Sequence, residues 1–298
     1  MPVTEIEETP GTLGLYARAA VSAIRPGGGA DGLPDEEVVQ RDVGIDRDHL
    51  AAYDRVCGFD LSDELPVTYL HVAAFPMALK IMTRNDFPFA LPGMVHVANR
   101  IVQHRPVLSS ERPTLKVHAA DLRPHRKGQM LDLVATAEIG GEVVWEDVST
   151  YLKRGSGASE DAPDPGPDDP PERSDAAPRW KVPSDIGRRY GAVSGDRNPI
   201  HLHPLLARAF GFPRHIAHGM WTTARALASL SGRLPDACTV DVRFERPLLL
   251  PAKVAFTAEP SGEDAWRFAL HSDREVVSDA AQPQRGDDRH LTGEVTPA

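Results

Sequence analysis

The chain has 298 residues, 41% of them apolar, with 33 Lys and Arg against 43 Asp and Glu, a formal net charge of −10. That length suits two domains or one large one, with real buried cores. The negative balance excludes a general nucleic-acid surface, which needs clustered basic residues. With only two cysteines, Cys57 and Cys238, no disulfide framework is expected, and a reducing, cytoplasmic setting follows.

The N-terminal run MPVTEIEETP is acidic where an export signal is basic. LGLYARAAVSAI, which follows, is too short and interrupted to cross a bilayer, so it reads as a short amphipathic helix on the body and no membrane insertion is expected. A short helix is predicted over about 47–57 and a longer one over about 73–84. Strands follow in GMVHVANRIVQHRPV, TLKVHAADL, MLDLVATAEI and EVVWEDVSTYLK. Residues 154–177 hold five Pro and seven acidic residues against two Arg, with no aliphatic residue larger than Ala. They cannot bury enough apolar surface to offset their ordering entropy and are predicted to form a disordered linker.

After the linker the order repeats. A short helix is predicted over about 184–193 and a longer one over about 219–231, followed by strands in CTVDVRFERPLL, AKVAFTAEP, AWRFALHS and HLTGEV. YDRVCGF at 53–59 matches YGAVSGD at 190–196. AFPMALKIM at 74–82 matches AHGMWTTARAL at 217–227, and RIVQHRPVLSS at 100–110 matches DVRFERPLLLP at 241–251. Three matches in register indicate an internal duplication, with halves at 1–153 and 178–298. Helix first and strands after, twice, define an α+β fold.

Chemistry concentrates in YGAVSGDRNPIHLHP, residues 190–204. On a continuous helix Asp196 and His201 would point about 140° apart, but Pro199 and the Asn198 before it force a turn. Such a turn can bring carboxylate and imidazole to one cleft, where they could grip a single water. Gly219 opens the second long helix, whose free N–H groups and dipole favour a developing oxyanion. Taken alone, the stretch admits three readings: a proton-transfer site, a metal site through His203 and His218, or a polar loop capping a helix. Zinc sites need three or four closely spaced ligands, and no Cys or acidic partner is placed for one, so no metal is expected. Ser194 lacks the elbow of a nucleophilic serine and reads as a turn hydroxyl.

These residues resemble the (R)-specific enoyl-CoA hydratase (hydratase 2, MaoC-like) family. Its signature runs approximately Y-A-x-x-S-G-D-x-N-P-[IL]-H-x-[DN]-P with a downstream H-G-M. The chain offers Tyr190, Ser194, Gly195, Asp196, Asn198, Pro199, Ile200, His201 and Pro204, then His218, Gly219 and Met220. Gly191 stands for the usual Ala, and His203 for the usual Asp or Asn. The resemblance covers about residues 180–298 directly and the first half through the duplication.

The resemblance implies a double hot-dog fold: two antiparallel sheets, each wrapped around a long helix, as a pseudo-dimer in one chain. It implies that Asp196 and His201 activate the water that adds to a trans-2-enoyl thioester, with Gly219 N–H on the thioester carbonyl. Tyr190, Ser194, Asn198 and His218 would support them. Separately, Arg188, Arg189, Arg197, Arg208 and Arg214 form a local basic excess near the motif, from which Arg197 and Arg214 are expected to meet CoA phosphates. The substrate would be an acyl-CoA or acyl-carrier-protein thioester, no cofactor is implied, and a homodimer of pseudo-dimers is allowed. In the first half Phe59 falls opposite Asp196, and Phe75-Pro76 opposite His218-Gly219, so one active site per chain is expected, with Ala73, Ala74 and Ala78 leaving room for a longer acyl chain. The rivals are a hot-dog acyl thioesterase and a non-catalytic acyl-thioester-binding subunit.

Overall fold

A computed structural model describes the chain except for residues 23–31, 156, 160–170, 173, 175 and 274–287. Most of the expected linker at 154–177 therefore lies outside the described residues, while Arg154 still belongs to a strand. The first half runs β1 (Val3–Glu5), α1 (Thr12–Ser22), β2 (Glu37–Gln40), α2 (Arg47–Cys57), α3 (Tyr69–Met82), β3 (Met94–Gln103), β4 (Thr114–His125), β5 (Gly128–Ile139) and β6 (Glu142–Arg154). The second runs β7 (Arg179–Val182), α4 (Ile186–Ser194), α5 (Pro199–Leu202), α6 (Pro204–Ala209), α7 (Gly219–Ala228), β8 (Cys238–Phe244), β9 (Ala252–Gly262), β10 (Ala265–Ser272) and β11 (Arg289–Pro297).

Among the described residues the strands form one sheet, ordered β1-β2-β4-β5-β6-β3-β8-β11-β10-β9-β7. Neighbours are antiparallel except β1 with β2. From the β3–β8 seam outward the two sides correspond: β6, β5, β4 and β2 on one, β11, β10, β9 and β7 on the other. At the seam Arg100 lies opposite Asp241, with an ion pair of 2.5 Å. These two residues are also counterparts in the duplicated sequence, so each meets its own equivalent, as at a two-fold axis. The expected pair of sheets is thus one continuous sheet. Joining β3 to β8 satisfies backbone groups that two open edges would leave unpaired.

Alternation sets which face is buried. On β8, Val240 and Val242 are buried while Asp241 and Arg243 are not. The long helix of the first half, α3, starts at Tyr69 rather than about 73 because its apolar run already includes Leu70 and Val72; eleven of its fourteen residues are buried. Pro76 therefore sits inside the helix instead of at its start, where it lacks the N–H that would reach back along the ladder. The second long helix, α7, ends at Ala228, three residues before the predicted stop. α2 and α4 end alike, on Gly58 with φ 86° and Gly195 with φ 72°. This left-handed cap is one that glycine adopts without steric cost. The two helices meet through Tyr53 and Tyr190, ring centroids 6.3 Å apart.

Candidate active site

The loop after α4 is built by short local contacts. Ser194 Oγ accepts the N–H of Asp196 (3.1 Å), and Asn198 caps α5 by accepting the N–H of Ile200 (3.4 Å). Pro199 takes the first helical position, where its missing N–H is not needed. His203 caps α6, its Nδ1 accepting from Leu205 N–H at 3.2 Å. An imidazole nitrogen thus does the capping work of the usual Asp or Asn there, and His203 faces solvent, away from the site. α4 lies hard against this loop. A Cβ on Gly191 would stand 2.8 Å from the Asp196 carbonyl oxygen, so replacing the usual Ala with Gly lets that carbonyl approach.

The turn does bring Asp196 and His201 together. Oδ2 of Asp196 stands 4.0 Å from Nε2 of His201 and 3.7 Å from Nε2 of His218. His201 Nδ1 donates to the carbonyl of Ile216 at 2.9 Å, so in the neutral ring Nε2 keeps its lone pair. His218 Nε2 donates to the carbonyl of Asp196, also at 2.9 Å. The two imidazoles stack with centroids 3.7 Å apart, and Tyr190 packs 5.0 Å from His218. One water bonded to both Asp196 and His201 would hold them about 4.5 Å apart at tetrahedral geometry. The observed 4.0 Å is too long for a direct bond and close to that spacing.

Asp196 Oδ1 is occupied separately. It accepts the N–H of Asn198 at 3.1 Å and the hydroxyl of Tyr16, on α1, at 2.5 Å. Burial alone would raise the Asp196 carboxyl, but His218, His201, the Tyr16 hydroxyl and the Asn198 N–H together hold it below the usual carboxylate range. Burial first, with Asp196 and the Ile216 carbonyl opposing it, lowers His201 below the ordinary histidine range. His218 is pushed to about 3 by burial and by His201. The resting state is thus a carboxylate beside two neutral imidazoles. Tyr16 carries no sequence signal: it sits in an apolar helix, and its partner is 180 residues away.

Gly219 is the first residue of α7, so its N–H has no intrahelical acceptor. A Cβ there would meet the ring of Phe244 at 2.8 Å. Phe244 in turn packs on His96 (4.9 Å), which stacks on Tyr151 (4.7 Å). Tyr151 lines a cavity in the first half whose other walls include Ala74, Ala78, Val117 and Leu133. Ala73 is not among its walls. Phe59, opposite Asp196 in the duplication, stacks on Tyr53 at 6.3 Å. Arg197 and Arg214 are exposed, outside the buried group.

Asp196, His201 and His218 bring one ligand-type atom each within 4.8 Å of one another, a trio that the pairing of His203 with His218 did not anticipate. His218 commits its Nε2–H to a carbonyl, so that nitrogen has no lone pair for an ion. His218 Nδ1 is buried without a partner among the described residues. The expectation that no acidic partner stands near the histidines is corrected, since Asp196 does.

The fold and this loop define a hot-dog protein of the dehydratase type, and comparison with known proteins gives the family. The family described as MaoC like domain matches residues 166–281. The chain is 38% identical over 264 residues to 3-hydroxyacyl-thioester dehydratase X of Mycobacterium tuberculosis, covering 88% of this chain and 94% of that one. The crystal structure of HtdX from the same organism superposes with a TM-score of 0.74 at 34% identity, over 88% of this chain and 100% of the other. A conserved M. tuberculosis protein with a double hotdog fold shares the architecture alone, with a TM-score of 0.50 at 13% identity over 85% and 92% of the two chains. The chain belongs to the MaoC-like dehydratase family.

Proposed function

We propose that the protein is a hydro-lyase that reversibly hydrates trans-2-enoyl thioesters to (R)-3-hydroxyacyl thioesters in fatty-acid metabolism. The observation that carries this reading is the 4.0 Å gap between Asp196 Oδ2 and His201 Nε2, which fits one water held by an anionic acceptor and a neutral base. In the hydration direction Asp196 orients the water and His201 Nε2 takes its proton as the oxygen bonds to C3. The alkene electron pair moves toward the thioester carbonyl, whose oxygen gains charge opposite Gly219 N–H. The proton then passes to C2, so water and substrate balance the reaction by themselves.

The substrate is read as an acyl-CoA or acyl-carrier-protein thioester, with Arg197 and Arg214 near its phosphates. Its acyl chain is read as running past Phe244 and Tyr151 toward Ala74 and Ala78, where the small cavity would have to widen to admit it. Phe59 and the helix-internal Pro76 supply neither a carboxylate nor an N–H, which supports one active site per chain, in the half spanning 178–298. Among the described residues no helix is long and apolar enough to cross a membrane. Cys57 and Cys238 are buried free thiols, which suits the cytoplasm. The oligomer is read as a homodimer of pseudo-dimers.

The test is turnover of crotonyl-CoA and of a longer enoyl-CoA, followed as loss of the conjugated thioester absorbance. Asp196→Asn and His201→Ala should each lower kcat by at least about 10²-fold with the melting temperature retained. Release of free thiol without hydration would identify a thioesterase. Binding without turnover would identify an acyl-thioester-binding subunit.

A further inference from the structure

Tyr16 belongs to the half that carries no dyad, yet its side chain reaches the centre of the other half's site. Its hydroxyl donates to Asp196 Oδ1 at 2.5 Å and also meets the backbone N–H of Arg197. Asn198 N–H shares Oδ1 at 3.1 Å. With two donors on Oδ1, the carboxylate cannot rotate about its Cβ–Cγ bond without breaking both bonds. Oδ2 is left toward His201 and His218, at 4.0 and 3.7 Å. The helix bearing Tyr16 is itself seated on the loop: a Cβ on Gly195, the residue before Asp196, would stand 3.0 Å from Thr12 Cγ2.

We propose that Tyr16 is a positioning residue of the active site, whose hydroxyl fixes the plane of the Asp196 carboxylate so that Oδ2 alone faces the water held with His201. This rests on the hydratase reading for its consequence, but the contact can be tested without it. A freely turning carboxylate would spend part of its time with the water site misaligned, and small misplacements of reacting groups cost large factors in rate. Removing the hydroxyl also removes a donor from the ionised carboxylate, which makes the carboxylate a stronger base.

The experiment uses the full-length protein with Tyr16→Phe, which keeps the ring and its packing. The carboxyl of Asp196 is followed by NMR in protein labelled with ¹³C-aspartate, its signal identified as the one absent in Asp196→Asn. Tyr16→Phe should move its titration midpoint upward by about one pH unit, whether or not turnover is seen. On crotonyl-CoA, kcat should fall by about tenfold or more with KM within about twofold, and the acidic limb of the pH–rate profile should shift upward with the carboxyl. Added to Asp196→Asn, the same change should have no further effect on rate. An unmoved carboxyl midpoint in a folded Tyr16→Phe protein would overturn the proposal. So would a rate loss that persists undiminished in the Asp196→Asn background, since Tyr16 would then act only by tethering α1. A wild-type protein with no turnover on any enoyl thioester would sink the hydratase reading while leaving the carboxyl titration to decide the role of Tyr16.

Discussion

The backbone carbonyl of His201 presses directly on Gly187. A Cβ at that position of α4 would stand 2.1 Å from the oxygen, closer than any real contact, and the obstacle is backbone rather than a side chain that can swing away. The position of His201 is thus set partly by the absence of a side chain fourteen residues earlier. Gly187→Ala should destabilise the protein by about 3 kcal/mol or more, at or beyond the upper end for overpacking, and depress turnover in whatever fraction stays folded. Gly14→Ala, on α1 with nothing within 4 Å among the described residues, is the control and should be neutral or slightly stabilising. Equal melting temperatures for the two variants would contradict the packing described for α4.

Gly219 faces a softer obstacle. The atoms a Cβ would meet belong to the ring of Phe244, at 2.8 to 2.9 Å, and a ring can tilt. Gly219→Ala should therefore cost little stability but displace the helix N-terminus or the ring, lowering kcat by about 10- to 100-fold. Combining it with Phe244→Leu should restore part of the loss. Failure of any rescue would place the defect in the backbone itself.

Ala78 lies at the wall of the first-half cavity rather than beside the dyad. The cavity there has room for about one water, so a long acyl chain would have to open it. If the chain takes that route, Ala78→Phe should lower kcat/KM for dodecenoyl-CoA by about tenfold or more while leaving crotonyl-CoA within about threefold, by blocking that opening. Parallel losses on both substrates would argue that the chain takes another route.

His96 and His218 are each held near pKa 3, by burial first and then by a neighbouring histidine, against an ordinary 6.5. The unfolded chain therefore takes up protons below about pH 6.5 that the folded chain refuses. Their contribution to stability is full above that pH and is lost progressively as the pH falls toward 3. The melting temperature should stay level from pH 8 to about 7 and decline below. His96→Phe, which keeps an aromatic ring between Tyr151 and Phe244, should flatten that decline. At pH 8 it should remove one unpaired buried nitrogen, Nε2, at the expense of the contact His96 makes with the Ala98 backbone, so the net change there should be small against the change in slope. A pH dependence identical to the wild type would remove His96 from this account.

Legibility in the sequence followed the range of the forces involved. Period-2 alternation in Val240, Val242 and Phe244 is a local signal, and the strand fell where it indicated. α2 occupies 47–57 as predicted, bounded by the Asp46 cap and Gly58. α5 and α6 were not anticipated because each is a single turn opened by a proline, readable equally as a loop. β1 is three residues long and exists only by pairing with β2. Within the candidate site, Asp196 and His201 were legible because they lie in one short stretch, and Gly219 because an H-G-M opens a helix downstream of it. Tyr16 was not, since no local pattern distinguishes a tyrosine that packs from one that also reaches a carboxylate in the other half.

The β3–β8 seam has a consequence for how such a chain can change. In a dimer of identical subunits every substitution is made twice, once on each side of the axis, so a site and its mirror image must be kept or lost together. Here the axis between Arg100 and Asp241 runs through a single polypeptide, and each side mutates alone. Phe59 can occupy the place of an aspartate, and a proline can enter α3, without touching Asp196 or Gly219. Within one chain, one half is free to specialise while the other keeps the dyad, and Tyr16, reaching Asp196 across the halves, is where that freedom shows.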